Sequence, residues 1–238
     1  MKNRELPFIR EMFDTIAPRY DLLNRLLSLR QDVCWRRDMV SAMEISDSGT
    51  VLDAACGTGD VMLEIFRQKG PEISVFGLDF SPEMLRLAKD KFDILQPDAP
   101  PQGCLIAGNA FHLPFRTGTF DAVTIAFGIR NISDKLSVLK IFHDSLKPGG
   151  MLLVLELAAP TEGLLLSLYL LYFKKILPLI GGFFSKNVTA YRYLPDSVIK
   201  FPKPAVFAQM MRSAGFSDVR WRNLTLGIAT LYVGYNIL

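Results

Sequence analysis

The chain has 238 residues, a net charge of +3 and a composition that is half hydrophobic. That length suits one α/β domain with a well-filled core, the apolar fraction excludes a mainly disordered chain, and the absence of any run of five basic residues gives no reason to expect a nucleic-acid partner. Cys34, Cys56 and Cys104 are odd in number and lack metal-ligand spacing, and His112 and His143 are the only histidines, so neither a disulfide framework nor a metal site is expected.

Residues 1–49 read as helical, because Phe13, Ile16, Tyr20, Leu23, Leu26 and Leu27 recur at helix-like intervals, interrupted at Pro18. The first seven residues contain no apolar core and do not resemble a signal peptide, which makes the cytoplasm the default location. From residue 50, short apolar runs alternate with helical patterns, the signature of a parallel sheet covered on both faces. Strands are predicted over 50–55, 73–78, 104–107, 122–126 and 151–157, with helices over 59–68, 82–92 and 134–146. Ser81 followed by Pro82 is a helix start, and Lys147-Pro-Gly-Gly150 reads as a stop before a strand.

Beyond residue 157 come a very apolar segment, 163–184, then a polar aromatic stretch over 187–201, a helix over 205–214 and strands over 219–223 and 229–235. The apolar segment is a poor membrane span: about 20 mostly apolar residues are needed, and Lys174, Lys175 and Pro178 interrupt it. A core-facing helix carries apolar residues on one stripe, so this uniform greasiness asks for another use. The expected architecture is α/β, a mostly parallel seven-stranded sheet with helices on both faces. It forms one domain over 1–238, divided into a helical cover (1–49), a core (50–157), a hydrophobic insertion (158–204) and a C-terminal helix with two strands (205–238).

The core holds the most specific motif. Val51-Leu-Asp-Ala-Ala-Cys-Gly-Thr-Gly-Asp60 takes a buried strand into a Gly-x-Gly turn, and the next strand ends at Asp79, 20 residues beyond Gly59. Gly57 and Gly59 permit a tight turn and clear side chains from an approaching ligand. Asp79 falls where a strand-end carboxylate accepts from both hydroxyls of a ribose. The third glycine of the dinucleotide fingerprint is replaced by Met62, which favours a nucleoside cofactor without phosphates. An ordinary strand–helix loop is the alternative.

Asp53 to Gly59 resembles motif I of the class I methyltransferases, which use S-adenosyl-L-methionine and share a Rossmann-like fold. Further segments resemble one family in order, the ubiquinone/menaquinone biosynthesis C-methyltransferases. They are Tyr20-Asp-Leu-Leu-Asn24 with Leu27, Ser28 and Trp35; Asn109-Ala110 with Leu113-Pro-Phe115; Phe127-Gly-Ile-Arg-Asn131 with Asp134 and Lys135; Leu146-Lys-Pro-Gly-Gly150 with Leu153 to Glu156; Tyr191-Arg-Tyr-Leu194 with Ser197; and Asn223-Leu-Thr225 with Gly227. Departures occur at Leu23, where the family usually has methionine, at Asp32, where it has histidine, at Cys56, where glycine is frequent, and at Ala126, where some members have serine.

The resemblance implies methylation of a ring carbon of a prenylated quinol, demethylmenaquinol first, with the ubiquinone-pathway intermediate as the alternative. It places Asp53, Gly57, Thr58 and Gly59 near the methionine part of S-adenosylmethionine, Asp79 on its ribose, and Asn109 and Ala110 beside its adenine. Asn109 is also readable as a residue capping its own loop, and Asp60 as complementing a helix dipole. A non-catalytic cofactor-binding scaffold and a methyltransferase for a small soluble phenol are competing hypotheses.

Methyl transfer from sulfonium to carbon is an in-line displacement on a carbon made electron-rich by an ortho phenolate. Alignment is worth about 7–11 kcal/mol and a positioned base about 10²–10⁴-fold, so positioning dominates. Arg130 and Asn131 follow the fourth strand and are the catalytic candidates: Arg130 as a phenolate stabiliser, and both residues ordering a water that takes the proton. An Arg130–Asp134 ion pair is the structural alternative. Tyr20, Asp21 and Asn24 are substrate-side candidates, against simple packing and capping, while His112 and His143 are read as structural. The 163–184 segment could line a path for the prenyl tail or meet the inner face of the membrane, with Lys174 and Lys175 at lipid headgroups. Core packing and a homo-oligomer interface are open for it as well.

Overall fold

A computed structural model of the chain describes residues 5–95, 103–158 and 188–237. The apolar 163–184 segment lies outside them. Three helices lead into the sheet: α1 (Glu5–Ile16), α2 (Tyr20–Leu27) and α3 (Gln31–Ser41). Pro18 lies in a 3₁₀ turn, Ala17–Arg19, that joins α1 to α2. A residue with fixed φ and no N–H fits the first turn of a helical element, so it re-aims the chain without ending the cover.

The remaining elements are β1 (Thr50–Ala54), α4 (Asp60–Lys69), β2 (Ser74–Asp79), α5 (Pro82–Leu95), β3 (Gly103–Ala107), β4 (Phe120–Ala126), α6 (Lys135–Ser145) and β5 (Leu146–Leu157). They are followed by α7 (Val188–Lys200), α8 (Pro204–Ser213), β6 (Ser217–Leu224) and β7 (Ala229–Tyr235). The seven strands form one sheet in the order β3-β2-β1-β4-β5-β7-β6. Strands β1 to β5 run parallel, and β7 is antiparallel to both β5 and β6. The mostly parallel α/β sheet expected from the alternation of patterns is therefore present.

Successive strand residues point to opposite faces, and both faces are covered. Leu52, Val123, Ile125 and Tyr232 pack with Phe142 of α6 and Phe207 and Met211 of α8. On the other face Val51, Val75, Ala122, Leu153 and Leu155 pack with Trp35 and Met39 of α3 and Met62 and Ile65 of α4. The strand order reverses between β1 and β4, so the loops leaving their carboxyl ends diverge and open a crevice, the usual ligand position in an open α/β sheet.

Two segments differ from the sequence reading. Lys147 to Gly150 belongs to β5 rather than stopping before it, because Leu146 pairs with Phe120 across an irregular register and Gly149 and Gly150 exchange backbone hydrogen bonds with Asn236. The stretch after residue 187 is helical despite Pro195 in its interior, a residue that usually breaks a helix. Val198 is buried, and Phe201, just beyond the end of α7, packs into the core. Among the described residues no helix is long and apolar enough to cross a membrane.

Gly77, in the middle of β2, leaves space that its neighbours use. A Cβ there would collide with Met62 Sδ, and Cys56 Sγ and Leu105 close the rest. Gly77→Ala is therefore expected to destabilise the protein by about 1–3 kcal/mol, as overpacked cores do, seen as a lower urea midpoint at unchanged m-value. An unchanged midpoint would mean that Met62 moves aside freely.

Candidate active site

The loop after β1 adopts the left-handed conformation three times in five residues: Ala55 (φ 53°), Gly57 (φ 55°) and Gly59 (φ 80°). Gly59 is the N-cap of α4, a role a side chain would strain. The turn is held by Asp79 at the end of β2. Its Oδ2 accepts the Gly57 N–H at 2.9 Å and its Oδ1 the Ser81 N–H at 2.9 Å, so one carboxylate fixes both the glycine turn and the start of α5. Burial pushes the Asp79 carboxyl up, opposed by the N–H donors of Ser81, Gly57 and Phe80.

A cavity of about 370 Å³ opens at the point where the strand order reverses. Its wall carries Gly57 and Asp79, then Asn109 and Ala110 from the loop after β3, Asn131 from the loop after β4, and Tyr20 from the cover. Phe13, Phe80, Phe111 and Phe127 supply apolar surface, and His112, read from sequence as structural, lines the cavity too. His143 instead packs edge-on against Phe216. Asn109 Oδ1 accepts the Phe111 N–H at 3.0 Å, so this residue caps its own loop while facing the cavity.

The other sequence candidates do not line the cavity. Asp53 is fully buried within β1; its Oδ1 accepts from Thr124 Oγ1 at 2.7 Å, while Oδ2 has no partner. Burial pushes its carboxyl up to about 7, against the hydrogen bond from Thr124. The Thr58 hydroxyl is turned towards the cover and donates to Asp21 Oδ1 at 2.6 Å. Asp21 also accepts from Lys91 Nζ at 2.6 Å, which ties this carboxylate to the glycine turn and α5. Asn24 sits beside Tyr20. Burial raises the Tyr20 hydroxyl, against the pull of the Arg130 guanidinium and the Asn24 amide.

Lys91 belongs to a charge cluster that sequence reading missed. Lys91 Nζ lies 2.7 Å from Asp60 Oδ1, Arg25 bridges Asp60 Oδ2 at 2.8 Å to Asp32, and Arg36 meets Asp32 at 2.6 Å. Asp32, one of the departures from the family pattern, is thus a buried hub that also accepts from Ser28 Oγ at 2.8 Å. Asp60 stands in the first turn of α4, as read from sequence, and is ion-paired as well. Burial raises its carboxyl, but Arg36, Lys91 and Arg25 together outweigh that and hold it at about 2.

Arg130 and Asn131 lie in a 3₁₀ turn, Ile129–Asn131, after β4. The Arg130 side chain is 7% exposed and its ion-pair partner is Glu156, at 2.7 Å, whereas Asp134 caps α6 through the Ser137 N–H. Glu156 is fully buried near the end of β5 and also accepts the Arg130 backbone N–H (3.0 Å) and its neighbour's, Leu157 (2.8 Å). A second Arg130 hydrogen bond reaches the Phe127 carbonyl. Its Nε is buried without a partner. The signal that could have found Glu156 is an acid ending an otherwise apolar strand, Leu153-Val-Leu-Glu156.

The model of the ubiE/COQ5 methyltransferase family matches residues 1–236. A Geobacter sp. (strain M21) protein named ubiquinone/menaquinone biosynthesis C-methyltransferase UbiE is 50% identical over 228 residues, 95% of this chain and 95% of the relative. Proteins named demethylmenaquinone methyltransferase from Deinococcus radiodurans and Thermus thermophilus are each 45% identical, covering 95% and 94% of this chain and 91% and 99% of their own lengths. Among solved structures, a SAM dependent methyltransferase from Aquifex aeolicus superposes with a TM-score of 0.66 at 15% identity, over 93% of this chain and 97% of that one. The [4+2]-cyclase SpnF gives 0.69 at 15%, over 95% and 94%. These two likenesses establish the fold.

Asp60 and Asp53, displaced in opposite directions, impose opposite pH dependences. Asp60 keeps its charge down to about 2, so its stabilisation is present above the usual carboxylate value near 4 and is lost as pH falls towards 2. Asp53 holds a proton that the unfolded chain has released, so its contribution is present below about pH 4 and is lost as pH rises through about 7. Urea unfolding at a series of pH values checks both: Asp53→Asn should flatten the decline between pH 4 and 7, and Asp60→Asn the decline below 4. Unaltered slopes would remove these groups as the source.

Proposed function

We infer that this chain, which belongs to the ubiE/COQ5 methyltransferase family, transfers the methyl group of S-adenosylmethionine to a ring carbon of a demethylated prenyl quinol. Menaquinone stands in the names of all three relatives given above, so demethylmenaquinol is the acceptor assigned, with the ubiquinone-pathway quinol as the second. The observation that carries the reading is one cavity whose wall combines two chemically different sets of residues, Gly57 and Asp79 with Asn109 and Ala110, and Tyr20 with Asn131.

The set around Gly57 and Asp79 suits a nucleoside without phosphates. Asp79 keeps acceptor capacity for a ribose hydroxyl beyond its backbone donors, Asn109 and Ala110 lie on a wall with apolar surface fit for adenine, and neither lysine nor arginine is among the described lining residues. Asp53, Thr58 and Gly59 act on this set indirectly, by holding the strand and turn that Gly57 belongs to. Bound there, S-adenosylmethionine supplies an electrophilic methyl group on a sulfonium.

Around Tyr20 and Asn131 the chain has to hold the acceptor ring in line and favour its phenolate. Arg130 stays protonated and is unsuited to remove a proton, but its buried charge beside the cavity lowers the energy of an oxyanion. Asn131 and Tyr20 can donate to the same oxygen. Asp21 and Asn24 then support the acceptor indirectly, Asp21 by tying α2 to the glycine turn and Asn24 by meeting Tyr20.

The whole chain is assigned as one methyltransferase domain working in the cytoplasm. The 163–184 segment is its proposed contact with the prenyl tail or the inner membrane face, or between copies of the chain. Purified protein incubated with methyl-labelled S-adenosylmethionine and demethylmenaquinol is expected to give labelled quinone. Cofactor binding without transfer to any prenyl quinol would leave a scaffold role, and activity indifferent to the tail would point to a soluble phenol. Asp79→Ala should weaken cofactor binding at least about tenfold, the worth of one hydrogen bond to a charged group. Arg130→Ala should lower kcat, by less than the about 10²–10³ that a donor in direct contact with an oxyanion is worth; an unchanged kcat removes Arg130 from the mechanism.

A further inference from the structure

Asn131 reaches the cavity from the turn after β4, and a residue from a distant part of the chain meets it there. Tyr193 of α7 donates its hydroxyl proton to Asn131 Oδ1 at 3.0 Å. A side-chain amide has an accepting oxygen at one end and two N–H donors at the other, and either can be turned towards a ligand. A hydroxyl donor bound to the oxygen selects one orientation. The Tyr193 oxygen, meanwhile, sits in the field of the Arg130 guanidinium, which favours its lone pairs facing the cation and its proton facing the amide.

The orientation matters for the chemistry. An acceptor oxygen that gains negative charge as the ring attacks is helped by N–H groups and opposed by a carbonyl dipole. Two neighbouring side chains already favour such a charge. The Tyr20 hydroxyl keeps its proton because burial raises it, and the guanidinium of Arg130 lies behind the wall with Glu156 as its counterion. An inward amide oxygen would add a dipole that works against the phenolate.

We propose that Tyr193 is a positioning residue: its hydroxyl fixes the Asn131 amide with the N–H groups directed at the oxygen of the methyl acceptor. The role rests on the functional reading above. It also gives α7, the helix that follows the apolar 163–184 segment in sequence, a direct part in the site.

A double-mutant cycle tests it, with Tyr193→Phe keeping the ring in place. In the wild-type background Tyr193→Phe should lower kcat/KM for the quinol about tenfold, the equivalent of one hydrogen bond. With Asn131→Ala already present it should lower it by no more than about twofold, because coupled residues are not additive. Cofactor affinity should stay unchanged in both. The rising limb of the pH–rate profile should move to higher pH in Tyr193→Phe, a change that loosened packing alone does not produce. Equal losses in the two backgrounds overturn the proposal.

A second readout does not depend on methyl transfer. The ionisation of 4-nitro-1-naphthol bound to the full-length protein, followed by absorbance, should require a higher pH in Tyr193→Phe than in the wild type. An unchanged ionisation pH overturns the inference whatever the turnover assay gives. A wild type that moves no methyl group to any prenyl quinol overturns the functional reading instead, and the naphthol titration then decides on Tyr193.

Discussion

A carboxylate withdrawn from water has to be met by donors or by a proton, and the carboxyl edge of this sheet is organised by how three such groups meet that demand. Asp79 collects the amides of Gly57 and Ser81, which belong to two different loops. Glu156 collects the Arg130 amide, the Arg130 guanidinium and the amide of Leu157. Each thereby fixes a loop from a neighbouring strand, and these are the loops that wall the cavity. Asp53 is the exception, with one hydroxyl partner and one bare oxygen, and it answers the same demand by retaining its proton up to about pH 7. The geometry of the crevice is therefore set by the fold's need to neutralise its own buried acids.

The helical cover follows the same logic with side chains of opposite sign. Arg25 and Arg36 lie on α2 and α3, Lys91 on α5, and the acids they satisfy are Asp32 on the cover and Asp60 at the start of α4. Asp60 also lies where the positive end of a helix dipole adds to the cations around it. The cover is thus joined to the glycine-turn side of the crevice by partly buried charge pairs, which salt screens less than surface pairs. Trp35 adds a neutral tie, donating to Thr225 Oγ1 beyond β6 at 2.8 Å.

What the sequence revealed and what it concealed divide along the distance between partners. The strand, glycine turn and Asp79 were legible because each signal is local: an apolar run, residues suited to positive φ, and an acid at a strand end. The alternation of runs likewise exposed seven strands. Glu156 went unread because its partner lies 26 residues earlier and its sequence context is an apolar strand. Asp21 appeared free to meet a substrate, but folding brings it to Thr58, 37 residues away. Lys147 to Gly150 carried every local mark of a stop, and pairing with Asn236 near the chain end overrode them. The stretch over 187–201, read only as polar and aromatic, is helical although Pro195 lies within it, since tertiary packing can outweigh a lost hydrogen bond.

Met62 occupies the place of the third glycine of a dinucleotide fingerprint, and its sulfur fills the space that Gly77 leaves on the adjacent strand. The two positions share one volume between a helix and a strand. A glycine at 62 alone would open a hole in a core where Met62 is fully buried, a change that in cores costs about 2–5 kcal/mol even when alanine is the replacement. A larger residue at 77 alone would have nowhere to go. An evolutionary route from this turn to a pyrophosphate-binding one therefore crosses a valley in which both single steps lose stability, and only a concerted exchange reaches the far side. The absence of a third glycine is thus fixed by the packing behind the loop as firmly as by the loop itself.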